Sequence, residues 1–206
     1  MNINQRSAWF LSHRLREALS ERNGPVEAEE AYFGGKRANM SNAKRKELAA
    51  AGMGRGPAGK KDRATNRVAA KVVSSTTGEI LQGFVQDHAG EAAMIFTDEA
   101  AAYAGLATSH GHEAVNHSAG EYVRGITHTN GIESFWSMLK RAHKGTFHKF
   151  SPKHLDRYVQ EFAGCYNVRD ADTIDIMTTF AAGAVGKHLR YRKLIADNGL
   201  PAGARL

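Results

Sequence analysis

The stretch NGIESFWSMLKRAH, residues 130–143, carries the strongest helical pattern in the chain. Its large apolar side chains recur at intervals of three and four residues, at Ile132, Phe135, Trp136 and Leu139. This spacing places them along one face of an α-helix, which a soluble protein buries against other elements. We therefore predict a helix here, with Phe135 and Trp136 in the core rather than on a base-stacking surface.

The segments before and after this helix predict alternating strands and helices. Strands are predicted at residues 25–35, 67–74, 93–98 and 113–117, where apolar runs end at turn-forming or polar residues. Helices are predicted at residues 4–20, 79–88, 152–166 and 173–196. Most of residues 36–66 is predicted to be loop, because glycine and alanine dominate it without sustained periodicity. The order predicts an α/β layer structure with helices covering a sheet.

Positive charge is concentrated in one part of the chain. The protein has 206 residues and a net charge of +7, yet residues 36–67 alone carry ten basic and two acidic residues. Such a segment indicates a polyanionic partner, with nucleic acid first and a membrane surface second. A solvated, disordered loop is the alternative interpretation.

Composition excludes several other classes of protein. No apolar run is long enough to span a bilayer, and the first residues do not resemble a secretion signal. The single cysteine, Cys165, rules out an internal disulfide and a multi-cysteine zinc site, and its apolar neighbours predict a buried structural thiol. We expect a cytoplasmic, nucleoid-associated protein.

Three acidic residues have positions that suit catalysis. Glu29 lies within a predicted strand, Asp98 ends an apolar strand, and Glu133 lies in the first turn of the aromatic helix. If they converge, their oxygens suit Mg²⁺ or Mn²⁺. Each also has a structural alternative. Glu29 could belong to an exposed acidic strand, Asp98 could be a helix N-cap, and Glu133 could close a capping box with Asn130.

The motifs VEAEEAYFGG (26–35), FTDEAAAY (96–103) and HTNGIESFW (128–136) occur in the order found in DDE insertion-sequence transposases. The chain resembles, over roughly residues 5–195, the ISXO-type group, whose members carry an N-terminal zinc ribbon. The resemblance implies a ribonuclease-H-like fold, in which a mixed five-stranded sheet is flanked by helices. It implies that Glu29, Asp98 and Glu133 are the catalytic carboxylates and hold two Mg²⁺ or Mn²⁺ ions.

The DNA-binding prediction combines this resemblance with the basic residues. Double-stranded DNA, as transposon ends and target, is the expected partner, and self-association on DNA is expected by analogy alone. His128 and Asn130 are expected to support the site or to cap the helix. Lys140 and Arg141 are expected to hold phosphate or to lie on a solvated face. The residues expected to contact DNA are Lys36, Arg37, Lys44, Arg45, Lys46, Arg55, Lys60, Lys61, Lys140 and Arg141.

The chain also departs from the group's pattern. Glu29 stands where the group has Asp, and the zinc ribbon is missing. Lys60 and Lys61 join two segments between which relatives place a short apolar strand, so the sheet would lack its second strand or recruit it from elsewhere. We expect residues 1–24 to be a helical remnant and residues 25–206 to be the catalytic domain. A truncated, impaired remnant that binds DNA without cutting is the main alternative to an active enzyme, and a nuclease without strand transfer is the second.

Overall fold

Five strands form one mixed sheet in the computed structural model, which describes residues 26–31, 41–42, 56–73, 75–89, 93–98, 101–108, 110–116, 123, 125–148 and 150–196. The strands are β1 (Val26–Glu30), β2 (Gly56–Asp62), β3 (Val68–Val73), β4 (Met94–Asp98) and β5 (Gly111–Val115). Their order across the sheet is β3-β2-β1-β4-β5. The first three strands pair antiparallel, whereas β4 is parallel to β1 and β5 is parallel to β4.

Helices cover both faces of this sheet. They are α1 (Gly78–His88), a 3₁₀ helix (Ala101–Thr108), α2 (Asn130–Ala142) with a π-helical turn (His143–Phe147), α3 (Leu155–Val168), α4 (Thr173–Ala184) and α5 (Tyr191–Ile195). The α/β prediction is confirmed. The continuous helix predicted over residues 173–196 is wrong, because Gly186 takes a φ of +74° between α4 and α5. A right-handed helix cannot continue through that conformation.

The second strand is present, which corrects the expectation that this part of the basic segment is loop. β2 pairs with β1 on one side and with β3 on the other. Its sequence, GPAGKKD, lacks the β-branched and aromatic residues by which a strand is usually recognised. Gly59 explains part of this composition, because a Cβ there would lie only 2.5 Å from Cζ2 of Trp136. The strand needs glycine where α2 packs directly on its backbone.

Two hydrophobic clusters lie on opposite faces of the sheet. One contains the apolar face of α2 together with β3 and α3, and it includes Ile132, Phe135, Trp136, Leu139 and Val159. The other contains α1, the 3₁₀ helix and the opposite face of β1 and β4, and it includes Val26, Leu81, Phe84, Ile95 and Tyr103. The aromatic residues of α2 are almost fully buried, which confirms their predicted place in the core.

Helix α3 protects the edge strand β3 through side-chain bonds to its backbone. The Asp156 carboxylate accepts from the Val72 N–H at 2.9 Å, and the Asn167 side chain accepts from the Val68 N–H at 2.7 Å. These bonds satisfy edge groups that would otherwise be open to another strand.

Cys165, on the same helix, is exposed, so the prediction of a buried thiol is wrong. In the described ranges no helix combines the length and apolar character needed to cross a membrane.

Candidate active site

Glu29 and Asp98 lie on neighbouring parallel strands. Ala28 of β1 pairs with Thr97 of β4, so Glu29 and Asp98 are the next residues along the two strands. Glu29 also lies directly opposite Gly59 of β2, and Gly59 faces α2. Because directly opposed residues of an antiparallel pair point to the same face of the sheet, Glu29 faces α2 as well.

Glu133 approaches this face from the first turn of α2. The Thr129 hydroxyl donates to Glu133 Oε1 at 2.6 Å, and the Glu133 N–H donates to the Thr129 carbonyl at 3.1 Å. Thr129 occupies the N-cap position and Asn130 is the first helical residue. Asn130 is therefore not the N-cap, so the predicted capping box between Asn130 and Glu133 is wrong, and the Glu133 carboxylate accepts a bond from the Thr129 hydroxyl instead.

The electrostatics of Glu29 show that the three acidic residues share one region. Burial raises the pKa of Glu29 to about 8, with further upward contributions from the negative charges of Glu133 and Asp98. The positive charge of Lys140 acts in the opposite direction. Glu29 Oε2 is buried and finds no hydrogen-bond partner among the described residues. An exposed acidic strand is thus the wrong interpretation of Glu29.

The surroundings of Glu29 are chemically suited to a cation. Glu29 has a buried oxygen without a partner, and its negative form is opposed by two nearby carboxylates. A divalent cation would supply the missing ligand contact and reduce the repulsion. Over the part of the chain that the structure describes, however, no group of three or more His, Cys, Asp or Glu side chains is arranged to hold a metal ion.

The predicted role of Asp98 as a helix N-cap involves residues outside the described ranges. Asp98 is the last residue of β4, and the 3₁₀ helix begins at Ala101. The two residues between them lie outside the described ranges. Its place beside Glu29 on the neighbouring strand and its effect on the pKa of Glu29 connect Asp98 to the site.

The basic residues have different environments. Lys60 is only 2% exposed, its ammonium donates to the His88 carbonyl, and burial lowers its pKa. This burial argues against the predicted contact between Lys60 and a DNA phosphate. Lys61 is half-buried, with Nζ 5.6 Å from the centre of the Tyr166 ring, whereas Lys140 and Arg141 are exposed on α2. The remaining predicted contacts, Lys36, Arg37, Lys44, Arg45, Lys46 and Arg55, lie outside the described residues, as does the helix predicted at 4–20.

The two supporting residues lie at the start of α2. Asn130 is exposed, and His128 is half-buried in the segment that leads into the helix. His128 Nδ1 is 3.5 Å from Glu27 Oε1, a contact that becomes an ion pair when the imidazole is protonated. Glu27 itself is only 1% exposed and was not singled out by the sequence. Side chains alternate between the two faces of a strand, so the sequence could have shown that Glu27 lies on the same face as Glu29.

A further acidic residue lies on the opposite face of β1. The Tyr103 hydroxyl donates to Glu30 Oε2 at 2.8 Å, and burial is the main cause that raises the pKa of Glu30. The negative charge of Asp98 adds to this increase. Glu30 therefore lies on the face of β1 that packs against the 3₁₀ helix, close enough to Asp98 for their charges to interact.

The strand order, the mixture of parallel and antiparallel pairs and the helices on both faces define a ribonuclease-H-like α/β fold. Its candidate site lies at the carboxyl ends of β1 and β4, beside α2. The family model of the ISXO2-like transposase domain matches residues 21–167, and the chain belongs to this family of insertion-sequence transposases. The resemblance seen in the sequence is thereby confirmed, and DNA is the implied partner. A search of curated proteins finds no match.

Proposed function

We propose that this transposase domain cleaves and joins DNA in a reaction that depends on divalent metal ions. The observation that supports the proposal is that the negative charges of Asp98 and Glu133 both raise the pKa of the half-buried Glu29. Like charges do not gather in a half-buried site without a cost in stability. A pair of Mg²⁺ or Mn²⁺ ions, held by these three side chains, would compensate that cost.

The proposed reaction has two displacements at phosphorus. In the first, a water oxygen attacks a phosphodiester at the transposon end, the bond from phosphorus to the 3′ oxygen breaks, and that oxygen gains a proton. In the second, the new 3′-hydroxyl loses its proton and attacks a target phosphorus, the target's bond from phosphorus to its 3′ oxygen breaks, and that oxygen gains a proton, so one phosphodiester replaces another. Bound metal ions would stabilise the attacking and leaving oxygens. The chain's carboxylates would hold the ions, and Lys140 is suited to bind the scissile phosphate.

The proposal is tested by nicking of supercoiled plasmid that carries the cognate transposon ends, with Mn²⁺ as the metal. We expect nicking by the parent protein and its loss in Asp98→Ala. Cut ends joined to target DNA would support strand transfer, whereas cut ends that remain unjoined would indicate a nuclease of the same fold. Nicking that persists at full rate in Asp98→Ala and Glu133→Ala would contradict the proposed site.

An impaired remnant that binds DNA without cutting is the second candidate. Two observations favour it: Glu29 stands where the resemblance places Asp, and the described side chains form no group arranged for a metal. The extra methylene shifts the carboxylate by on the order of 1 Å, which can lower a rate by about a hundredfold. Activity that appears only in Glu29→Asp would support the remnant, and equal activity of both proteins would exclude it.

A further inference from the structure

We infer that Glu27 and Arg63 are positioning residues that fix the first turn of α2, and with it Glu133, beside Glu29 and Asp98. The contacts that carry this inference are independent of any reaction. Its consequence for catalysis rests on the proposed function. Neither residue belongs to the set of carboxylates expected to hold metal.

Glu27 caps α2 from a neighbouring strand. The first N–H groups of an α-helix have no partner within the helix, and a side chain at the N-cap usually supplies one. Here the N-cap residue, Thr129, makes no such bond with its side chain. Glu27 Oε2 instead accepts from the Ile132 N–H at 3.0 Å. The carboxylate of a central strand therefore holds the residue directly before Glu133.

Arg63 holds Glu27 and the approach to the helix at the same time. Its Nε donates to Glu27 Oε1 at 2.8 Å, while its two terminal nitrogens donate to the carbonyls of Ile126 and His128 at 2.6 and 2.5 Å. The guanidinium carbon lies 3.9 Å from the centre of the Phe96 ring on β4. One side chain thus connects β1, β4 and the segment that enters α2.

The backbone at the start of α2 lies close to the Glu27 and Lys61 side chains. A Cβ on Gly131 would lie 2.7 Å from Glu27 Oε2 and 2.8 Å from Lys61 Nζ. Glycine therefore allows the backbone of the first turn to approach the buried carboxylate. The apolar face of α2 holds the helix against the sheet and α3 through Ile132, Phe135, Trp136 and Leu139. The Glu27–Arg63 pair attaches the N-terminal end of α2, next to Glu133, to β1.

Both Glu27 oxygens are already engaged, so this carboxylate is not offered as a ligand. Oε2 is bonded to the Ile132 N–H, and Oε1 to Arg63. In Glu27→Gln the amide nitrogen replaces one acceptor by a donor, and one of the two bonds must be lost. The substitution keeps the size and shape of the side chain, and therefore tests the bond rather than the packing.

The test compares Glu27→Gln and Arg63→Lys with a matched control, Asp156→Asn. Asp156 also ties a helix to a strand by accepting a backbone N–H, but it does so at β3, away from the acidic site. The first measurement is amide hydrogen exchange without metal or DNA. We expect exchange at Ile132 and Glu133 to accelerate at least about tenfold in the two site variants but not in the control.

The second measurement is single-turnover nicking with Mn²⁺ at saturating DNA. Outer-shell partners of metal ligands typically affect activity by about 10- to 100-fold, and we expect that loss in Glu27→Gln with unchanged DNA affinity. Asp156→Asn is measured under conditions in which it has lost as much unfolding free energy as Glu27→Gln. It should retain the nicking rate of the parent protein. An equal loss of rate in the control would overturn the inference, because it would indicate a general effect of stability.

Failure of the proposed function gives a different pattern. If the parent protein does not nick DNA with Mn²⁺, the proposed activity fails, and the exchange measurement alone decides the positioning inference. Unchanged exchange at Ile132 and Glu133 in Glu27→Gln would overturn it whatever the parent's activity. Faster exchange confined to the start of α2 would support it.

Discussion

Replacement of Glu29 by glutamine should stabilise the metal-free protein, and more so as the pH rises. The raised pKa of Glu29, about 8 against an ordinary 4.5, means that the folded state binds this proton more tightly than the unfolded state. The stability contributed by the protonated carboxyl is fully present below pH 4.5 and is lost as the pH rises towards 8. Glutamine resembles the protonated form and has no such loss.

The magnitude follows from the shift in pKa. One pKa unit corresponds to about 1.4 kcal/mol, so the stability difference between Glu29→Gln and the parent should increase by roughly 3 kcal/mol between pH 5 and pH 8. Burial, Glu133 and Asp98 are the causes in that order. Urea unfolding at 25 °C in the presence of EDTA, at four pH values, measures the difference directly.

Because each variant is compared with the parent at the same pH, the contributions of the other titrating groups cancel. Glu79→Gln, which changes an exposed carboxylate on α1, serves as the control for loss of a surface charge. A stability difference that does not change between pH 5 and pH 8 would refute the reasoning, because Glu29 would then ionise as easily in the folded protein as in the unfolded chain.

Three further predictions concern metal, packing and DNA. Mg²⁺ at ten times its dissociation constant should stabilise the parent by about 1.4 kcal/mol and Asp98→Asn much less, as measured by thermal unfolding; equal stabilisation would argue against the site. Gly59→Ala should lower the free energy of unfolding by about 1–3 kcal/mol, because the new Cβ would lie 2.5 Å from Trp136; an unchanged urea midpoint would contradict this packing. Lys60→Met should leave DNA affinity unchanged, whereas Lys140→Met should weaken it by about two- to fivefold in fluorescence anisotropy; the reverse order would contradict their exposures.

The sequence was most informative where side-chain pattern and structure share a cause. The apolar face of α2 is visible because burial of four large side chains requires their spacing. Asp98 could also be identified as a candidate from the sequence pattern, because it ends an apolar strand. Glu29 and Glu133 were candidates from their places in a strand and a helix, and the family resemblance supported all three residues. In the structure, the charges of Asp98 and Glu133 both act on Glu29.

The second strand could not be predicted from periodicity because its neighbours decide its composition. Gly59 is small because Trp136 packs on the backbone, and Lys60 lies in the core because its ammonium bonds to a carbonyl of α1. In sequence the same residues look like a flexible basic loop. Long-range packing therefore overrides the local propensity of this segment.

Glu27 and Arg63 illustrate a second limit. They are 36 residues apart, and their bond depends on the turn between β2 and β3 returning to the start of α2. Strand alternation could have shown that Glu27 shares a face with Glu29. Nothing local indicates that its partner would be a backbone N–H more than a hundred residues away.

We propose that three acidic side chains, from β1, β4 and α2, bind divalent cations at one site. A crystal structure of the protein grown with Mn²⁺, with anomalous differences recorded at the manganese edge, tests it most directly. We expect two peaks about 3.5–4 Å apart, in contact with Glu29, Asp98 and Glu133. Peaks elsewhere, or none at Mn²⁺ concentrations that support nicking, would contradict it.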